Sequence, residues 1–513
     1  FQRVAPIHVS PHNPNVVYHG SQYIHKTMTD GKIWETISPD LTAFEADKQV
    51  ISGSPITRDI TGEEYYSTLY SIRESKLKEG LIWTGSNDGV ISITQDGGKT
   101  WKNVTPKRLP KGGRVESVEP SQYNPAKAYI AVDRHLLGDA KPYLYKTTNY
   151  GKTWELISTS SNGIPDDFTA RVLREDPIRE GLLYAGTEFG MFVSFNDGKS
   201  WEKFQQNLPV TPITDIKIFR GDLILSTMGR AFWILDNITS LRDVSINKLN
   251  STAHLFKPDT TIRYRYPKGT GRTGAAQYPR TSVIIDYYIP NGNTSPIQLE
   301  ILDVNKNIVA SIVSDKNLIE KTTVVENMNL SQTFRYVDTK LETKPGINRF
   351  RWNLQQKGVW SANKNRSFKN GPMVAPGIYI AKLTVNGKSF EQSFEIVIDP
   401  RVKDQGITKS DIINQIAMQQ KIMNLLSEAR QLQDVLEKEV KSLKGKQTSR
   451  AAKINAALKK LKNDAGAYPQ EMLVSQISYL LYMISGADQV PGQEAEKRYA
   501  ELVSQFQKVK ENL

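Results

Sequence analysis

Short apolar segments alternate with turn-forming residues through the first 245 residues of this 513-residue chain. Four of these segments lead into a similar turn that ends in tryptophan: KTMTDGKIW at 26–34, SITQDGGKTW at 92–101, KTTNYGKTW at 146–154 and SFNDGKSW at 194–201. Another apolar segment precedes each turn, and in three of the four copies it carries a glycine 14 to 16 residues before the tryptophan. The pattern predicts antiparallel strands joined by tight turns.

The spacing of these turns indicates a repeated unit. Trp34, Trp101, Trp154 and Trp201 are separated by 67, 53 and 47 residues. Such a period, with insertions, is typical of the blades of a β-propeller. Residues 222–236, DLILSTMGRAFWILD, contain the strands without the turn, and we predict that they form a fifth, closing blade.

The polar residue of each turn has a structural explanation. We expect the side-chain oxygens of Asp30, Asp96, Asn149 and Asp197 to accept backbone N–H groups within the turn, and the glycines to supply positive φ angles. Because Tyr150 replaces a glycine, the third turn is expected to be less regular. Each tryptophan is expected to pack under its own hairpin and seal the core of its blade.

These turns resemble the Asp-box, or BNR, repeat S/T-x-D-x-G-x-T-W of sialidases, xyloglucanases and sortilin-type propellers. The wider sequence, such as GLIWTGSNDGVISITQDGGKTWKNVTP at 80–106, is similar to bacterial sortilin-like propeller proteins that are often labelled glycosyl hydrolases. The resemblance implies an incomplete propeller over residues 1–245 and further blades before residue 1, in a protein about twice as long. It also implies that the Asp turns lie away from any binding site.

The pattern changes after residue 245. Residues 246–280 are basic and turn-rich, and are predicted to form a linker. Alternating strands over 281–400, including a VNGK hairpin at 385–388, predict an immunoglobulin or fibronectin-like β-sandwich. Residues 401–513 are predicted to be helical, with Thr408 and Asp411 forming a capping box.

Composition narrows the classes of function. The chain has no cysteine, which excludes disulfides, thiolate metal sites and cysteine nucleophiles, and its net charge is +13. It contains no apolar run long enough to span a membrane and begins with Phe1 rather than Met, which indicates a processed or truncated end. Together with the resemblance, this predicts an exported bacterial protein located extracellularly, at the cell surface or in the periplasm.

Candidate chemistry is sparse. The chain contains no H-E-x-x-H and no G-x-S-x-G motif. Four of its six histidines lie within the first 25 residues, but no carboxylates at matching spacing accompany them, so neither a metal nor a cofactor is expected. Candidate catalytic carboxylates lie in the loops between blades: Asp59, Glu63 and Glu188. Candidate binding residues lie in the same loops: Arg58, Tyr65, Arg134, His135 and Arg230.

Three functions remain open. The first is a non-catalytic binding or scaffold protein of the cell envelope that binds peptide or protein, as the sortilin resemblance implies. The second is a glycoside hydrolase of the xyloglucanase or sialidase type, which needs two facing carboxylates. A sialidase also needs an arginine cluster, for which the chain offers Arg58, Arg134, Arg171 and Arg230. The third is an accessory subunit of an outer-membrane complex. The segment Lys438–Lys462 has nine basic residues and one acid and is either a solvated helical tip or a contact for an anionic surface. No nucleic-acid partner is expected.

Overall fold

The chain folds into two compact units, Phe1–Ile246 and Asn247–Leu513. The computed structural model describes residues 4–50, 65–244, 252–265, 281–314, 341–363, 367, 371–443, 449–466 and 469–513. It is mainly β, with a helical C-terminal region, as predicted. Within the described residues, none of the helices combines the length and the apolar character needed to cross a bilayer.

The first unit consists of five small antiparallel sheets in chain order. Four sheets have four strands: β1 (Ile7–Val9), β2 (Val17–Gly20), β3 (Ile24–Thr27) and β4 (Glu35–Thr36); β5 (Leu69–Glu74), β6 (Ile82–Ser86), β7 (Ile91–Thr94) and β8 (Lys102–Asn103); β9 (Arg114–Pro120), β10 (Ala128–Asp133), β11 (Tyr143–Thr147) and β12 (Glu155–Leu156); β13 (Ala170–Glu175), β14 (Leu183–Thr187), β15 (Gly190–Ser194) and β16 (Glu202–Lys203). The fifth sheet contains β17 (Ile213–Phe219), β18 (Asp222–Thr227) and β19 (Phe232–Leu235), and the short helix α1 (Thr239–Asp243) follows it.

The sheets are blades of a β-propeller type, because their first strands lie side by side. Strands β1, β5, β9, β13 and β17 pack against one another in that order and form the inner edge of the unit. Within each four-stranded sheet the strands run back and forth in sequence order. Connections from the second to the third strand, and from one sheet to the next, therefore lie at one end, here called the loop end. The turns between the third and fourth strands lie at the opposite turn end.

Apolar residues of neighbouring sheets share cores, which explains the uninterrupted apolar segments in the sequence. Every residue of β6, β7, β10, β11, β14 and β15 is buried, because the adjacent sheets cover both faces. The repeated glycine is required by this packing. A Cβ on Gly85 would lie 2.3 Å from Val115 in the next sheet, and one on Gly186 would lie 2.8 Å from Ile213.

The turn between β7 and β8 is held by Asp96. Its carboxylate accepts the backbone N–H of Thr100 at 2.9 Å and the hydroxyls of Thr94 and Thr100 at 2.8 and 2.6 Å. Asn149 accepts the N–H of Thr153 at 2.9 Å in the same way. The third turn is therefore as regular as the second, because Tyr150 adopts the positive φ that Gly97 supplies in the second turn.

Two of the four residues expected to accept the N–H groups of their turns, Asp30 and Asp197, lie one residue beyond the actual acceptors. Thr29 and Asn196, not Asp30 and Asp197, accept the turn N–H groups, those of Ile33 and Ser200, at 2.9 Å each. Asp30 and Asp197 instead occupy the following position, where φ is 51° and 61°. The carboxylate of Asp197 points away from the turn and lies 3.1 Å from the ammonium group of Lys127.

The tryptophans of the second, third and fourth turns each join two sheets, which differs from the expectation that each seals its own blade. Its indole N–H donates to the backbone carbonyl of the residue that follows the fourth strand of the preceding sheet. The three pairs are Trp101 with Ile37, Trp154 with Val104 and Trp201 with Ile157, at 2.9, 2.6 and 2.6 Å. We call this arrangement the interlock.

The second unit begins with a β-sandwich. One sheet has the order β20-β22-β25 and the other β21-β27-β26-β23-β24. Their strands are β20 (His254–Leu255), β21 (Thr261–Arg263), β22 (Val283–Ile289), β23 (Ile297–Leu302), β24 (Ile308–Val313), β25 (Gly346–Trp352), β26 (Gly377–Val385) and β27 (Lys388–Ile398). The segment predicted as a linker therefore contributes a strand to each sheet, and its residues 266–280 lie outside the described part.

Helices complete this unit: α2 (Pro400–Asp404), α3 (Lys409–Ser442), α4 (Ser449–Leu461), α5 (Leu473–Ser485) and α6 (Gln493–Glu511). The capping box is present, with Thr408 and Asp411 exchanging side-chain and backbone hydrogen bonds. Helices α3 to α6 share one apolar core. The sandwich and the helices are tied together by Asp488, which pairs with the buried guanidinium of Arg263 and lies 2.7 Å from Arg265.

We predict that Asp96→Ala lowers the unfolding temperature of the first unit by a few degrees, whereas Asp96→Asn retains it. Asn149 and Asn196 accept the equivalent backbone N–H, and their amides donate to the hydroxyl of the same residue. Hydrogen bonds, first from the Thr100 hydroxyl, lower the pKa of Asp96 to about 2. The stability that this carboxylate contributes is complete above pH 4 and is lost as the pH falls through 2. Thermal unfolding of the three proteins at acid and neutral pH measures both effects. If wild type and Asp96→Asn lost the same stability at acid pH, the Asp96 carboxylate would not be the source of the acid-dependent loss.

We predict that Trp101→Phe reduces the free energy of unfolding by about 1–2 kcal/mol, because the Ile37 carbonyl loses its donor in a partly buried place. Trp34→Phe is the matched control: Trp34 is 44% exposed, and its indole N–H has no hydrogen-bond acceptor among the described residues. Denaturant unfolding followed by tryptophan fluorescence compares the two. An equal loss in both variants would show that the interlock bond contributes little.

Candidate functional site

Charged side chains converge at the loop end of the inner edge. Arg114 and Glu116 project from β9, Arg171 from β13, and Asp133 lies at the end of β10. Alternation along each strand directs these residues to one face while the residues between them enter the apolar cores. With Tyr70 on β5, His135 and Glu188, they form the group that we call the Arg171 cluster.

The guanidinium of Arg171 is the centre of this cluster. It pairs with Glu188 and lies 3.7 Å from Glu116 and 3.9 Å from Asp133. Arg114 lies 3.5 Å from Glu116 and stacks over the Tyr70 ring, with its guanidinium carbon 4.6 Å from the ring centroid. The cluster is therefore a network of mutually compensating charges, as a low-dielectric environment requires.

Glu116 is the most perturbed carboxyl group of the cluster. Burial raises its pKa to about 7, and the nearby charge of Asp133 acts in the same direction, while Arg114 and Arg171 oppose the shift. A carboxyl group with such a pKa exchanges its proton near neutral pH. This property allows acid–base chemistry, but it also arises in structural networks.

Asp133, His135 and Glu188 could also be considered as cation ligands. One ligand atom from each lies within 4.8 Å of the other two. However, His135 Nδ1 lies 2.7 Å from Asp133 Oδ1, and Arg171 already balances both carboxylates. These contacts favour a protein-internal network over a metal site, because a cation would have to compete with the fixed guanidinium charge.

The loop 134–142 is anchored next to this cluster. Arg134 donates to the carbonyls of Pro110 and Gly112 at 3.1 and 2.8 Å, and its Nε lies 3.0 Å from Asp139. Asp139 also accepts the Tyr143 hydroxyl at 2.8 Å. The guanidinium of this predicted binding residue therefore holds the loop in place instead of facing a ligand.

The anchored loop displays apolar side chains to solvent. A short 3₁₀ helix, His135–Leu137, leaves Leu136 74% and Leu137 54% exposed. Other exposed apolar side chains also lie on connections at the loop end: Phe44, Tyr65, Phe189, Val210 and Met228. Exposed groups of large apolar residues indicate interaction surfaces in soluble proteins.

The structure places the other predicted site residues as follows. Glu188 lies in the connection between β14 and β15 and pairs with Arg171, whereas Arg230 lies in the corresponding connection of the fifth sheet. The Tyr65 carbonyl accepts a hydrogen bond from Asn87. The remaining three candidates lie outside the described residues: Arg58, Asp59 and Glu63.

Four members of the cluster were not among the sequence candidates: Tyr70, Arg114, Glu116 and Asp133. Arg114 and Glu116 alternate with buried Val115 and Ser117, and Arg171 alternates with buried Ala170 and Val172. Charged residues at every second position of an otherwise buried strand were the available signal. The distance of 55 residues between Glu116 and Arg171 in the sequence gives no indication that they meet.

The predicted basic contact segment is less charged than its sequence suggests. Lys438 pairs with Asp434 at 2.6 Å, Arg450 with Glu439 at 2.8 Å and Lys462 with Glu437 at 3.0 Å. Within the described part of the segment Lys438–Lys462, the other basic residues are the exposed Lys441, Lys453, Lys459 and Lys460. Three of the seven basic residues that the structure describes in this segment are therefore neutralised locally, which weakens the case for contact with an anionic surface.

Comparison with known proteins gives limited similarity. Neither a protein-family model nor a curated protein matches the chain. Among solved structures, YCF48 bound to a D1 peptide matches with a TM-score of 0.29 and 14% identity, over 48% of this chain and 68% of that chain. A GH74 xyloglucanase from Xanthomonas campestris matches with a TM-score of 0.35 and 12% identity, over 75% and 57%. PorZ, a surface component of the type-IX secretion system of Porphyromonas gingivalis, matches with a TM-score of 0.31 and 13% identity, over 76% and 51%.

The chain thus spans between half and two thirds of the length of these structures. At such TM-scores the matches carry no argument about function. The assignment of propeller blades rests on the strand order and packing described above.

We predict that the stability difference between Glu116→Gln and wild type depends on pH. Because the folded-state pKa of Glu116 is raised to about 7, the folded protein holds this proton more tightly than the unfolded chain. The stability that the protonated group contributes is present below about pH 4 and is lost as the pH rises to 7. The glutamine variant, which cannot ionise, should gain relative to wild type between pH 5 and pH 8. Thermal unfolding at the two pH values tests this, and a constant difference would contradict it.

Proposed function

We propose that this chain is a non-catalytic binding protein and that its loop end binds a peptide or an extended segment of a protein. The observation that carries the proposal is the loop 134–142, which is held by the Arg134 hydrogen bonds and presents Leu136 and Leu137 to solvent. A loop fixed in this way loses little conformational entropy when a ligand binds.

The chemistry of the loop end supports a peptide ligand over a sugar. Leucine and phenylalanine side chains offer surfaces for apolar side chains of a partner, as in the centres of protein interfaces. The charged groups of the Arg171 cluster beside them already pair with one another. Recognition of a sugar instead requires hydrogen-bonding groups that are not already committed to each other.

The alternative of a glycoside hydrolase requires two carboxyl groups about 5–10 Å apart across a cleft. Of the three candidates from the sequence, only Glu188 lies among the described residues, and Arg171 pairs with it. Glu116 has the raised pKa of a general acid, but its side chain is only 10% exposed. These features favour a structural network over a catalytic pair.

We further propose that the protein acts in the bacterial cell envelope, as a scaffold or as an accessory subunit of an outer-membrane complex. The absence of cysteine over 513 residues and the similarity to Asp-box repeats support this location. The exposed apolar residues of the loop end are the surface that would contact such a partner.

The experiment is a selection of phage-displayed random peptides on the purified 513-residue chain. We predict that selected peptides bind roughly ten-fold or more weakly to a Leu136→Ser/Leu137→Ser variant, because truncation of central apolar side chains costs about 1–2 kcal/mol or more. The matched control is Leu77→Ser/Ile178→Ser, which changes two exposed residues at the turn end. This control should bind the peptides as wild type does.

Two results would contradict the proposal. One is peptide binding that both double variants retain equally. The other is hydrolysis of xyloglucan or an aryl glycoside by the wild type that is abolished in Glu188→Gln or Glu116→Gln, which would assign the cluster to catalysis.

A further inference from the structure

The interlock occurs in three copies, each with a tryptophan, a turn glycine and an acceptor residue. In each copy, besides the tryptophan bond, a glycine of the turn approaches the acceptor residue so closely that no side chain would fit. A Cβ on Gly98 would lie 2.7 Å from the Ile37 carbonyl oxygen, one on Gly151 2.6 Å from Val104 Cβ, and one on Gly198 2.8 Å from Ile157 Cδ1. The acceptor residue is isoleucine or valine in every copy.

The first sheet has the tryptophan and the turn glycine of an interlock, Trp34 and Gly31. Among the described residues, none accepts a hydrogen bond from the Trp34 indole N–H. Gly31 corresponds to Gly98 and has the same left-handed backbone, with φ of 78°. A Cβ on Gly31 would approach only its own neighbour Trp34, at 3.9 Å. Trp34 is 44% exposed, whereas the interlocked Trp201 is 5% exposed.

The apolar character of this sheet extends beyond the tryptophan. Ile7 and Ile33 are 66% and 69% exposed, and Val9 and Met28 are about half exposed. Isoleucine and valine residues of the middle sheets are buried at the cores that they share with their neighbours. The first sheet therefore has one covered face, against the second sheet, and one apolar face that the described residues leave open.

We propose that this open face is the docking surface for one further four-stranded blade of the same type, whose fourth strand is followed by isoleucine or valine. The backbone carbonyl of that residue would accept the indole N–H of Trp34, and its side chain would lie against Gly31. In all three interlocks the sheet that offers the carbonyl immediately precedes the tryptophan sheet in the chain. The docking blade therefore enters from the N-terminal side of residue 4.

A second copy of this chain fits the open face of the first sheet less well than a further blade does. The carbonyls of Ile37, Val104 and Ile157 already accept tryptophan bonds. The fourth strand that remains, β16, is followed by Phe204, whose ring packs against the core shared with the fifth sheet. Within the described residues, a second copy thus offers no free isoleucine or valine in the acceptor position.

The test adds a blade in place of residues 1–3 of the chain. A copy of residues 65–110 is placed directly before residue 4, so that nine residues separate the copied Val104 from Ile7, as nine separate Val104 from β9. The probe is oxidation of Trp34 by N-bromosuccinimide, followed by mass spectrometry of peptides. We expect the oxidation rate of Trp34 to fall to that of Trp101, and the unfolding temperature to rise.

Matched glycine variants separate docking from folding. Asparagine tolerates a positive φ but adds a side chain. Gly31→Asn should leave the unextended chain as stable as wild type, because the space beside Gly31 is open, and should abolish the protection of Trp34 in the extended chain. Gly98→Asn should destabilise both chains, since its side chain would meet Ile37.

The outcomes are distinct. Protection of Trp34 that requires Gly31 supports the proposal. The proposal is overturned if Trp34 is oxidised as fast in the extended chain as in the unextended chain. It is also overturned if the protection of Trp34 persists in the Gly31→Asn variant of the extended chain. Concentration-dependent protection in the unextended chain, lost in Gly31→Asn, would assign the face to a second copy and would also overturn it.

Discussion

The hydrogen bond from Trp101, Trp154 and Trp201 to the carbonyl that follows the fourth strand of the preceding sheet is the contact on which the first unit depends. It fixes the distance and the rotation between consecutive sheets, because it joins the turn of one sheet to the end of the fourth strand of the preceding sheet. Apolar side chains fill the space between the sheets. The close approach of a turn glycine makes this contact specific, since any Cβ would push the sheets apart. Repetition of the contact aligns the first strands and thereby creates a continuous inner edge.

The Arg171 cluster is a consequence of that alignment. Strands β9 and β13 are brought side by side, so that Glu116 and Arg171 meet in an environment with little water. Burial then raises the pKa of Glu116, and the two arginines keep the group from becoming an isolated buried charge. The same sheets hold the loops of this end, where the Arg134 guanidinium fixes a loop that exposes two leucines. Binding through such a loop depends on the scaffold more than on the chemistry of the cluster.

Buried polar groups also join the elements of the second unit. Arg263 on β21 pairs with Asp488, which lies between α5 and α6, and so connects the sandwich to the helices. Gln415 on α3 donates to the carbonyls of Ile484 and Ala487 at 2.7 Å each and thus caps the end of α5. In both units, apolar cores provide cohesion, while a few satisfied polar contacts determine which elements lie next to each other.

The sequence by itself determined the repeated units, the glycine and tryptophan positions, the strands of the sandwich and the capping box of α3, because local periodicity and turn chemistry act over a few residues. It did not determine which oxygen closes each turn: Asp30 and Asp197 lie one residue beyond Thr29 and Asn196, a shift that only backbone angles reveal. Nor did it indicate that the tryptophans join neighbouring sheets, or that Glu116, Asp133 and Arg171 meet. Those relationships connect residues about 40 to 65 positions apart, and only the packing of one sheet against the next brings them within reach.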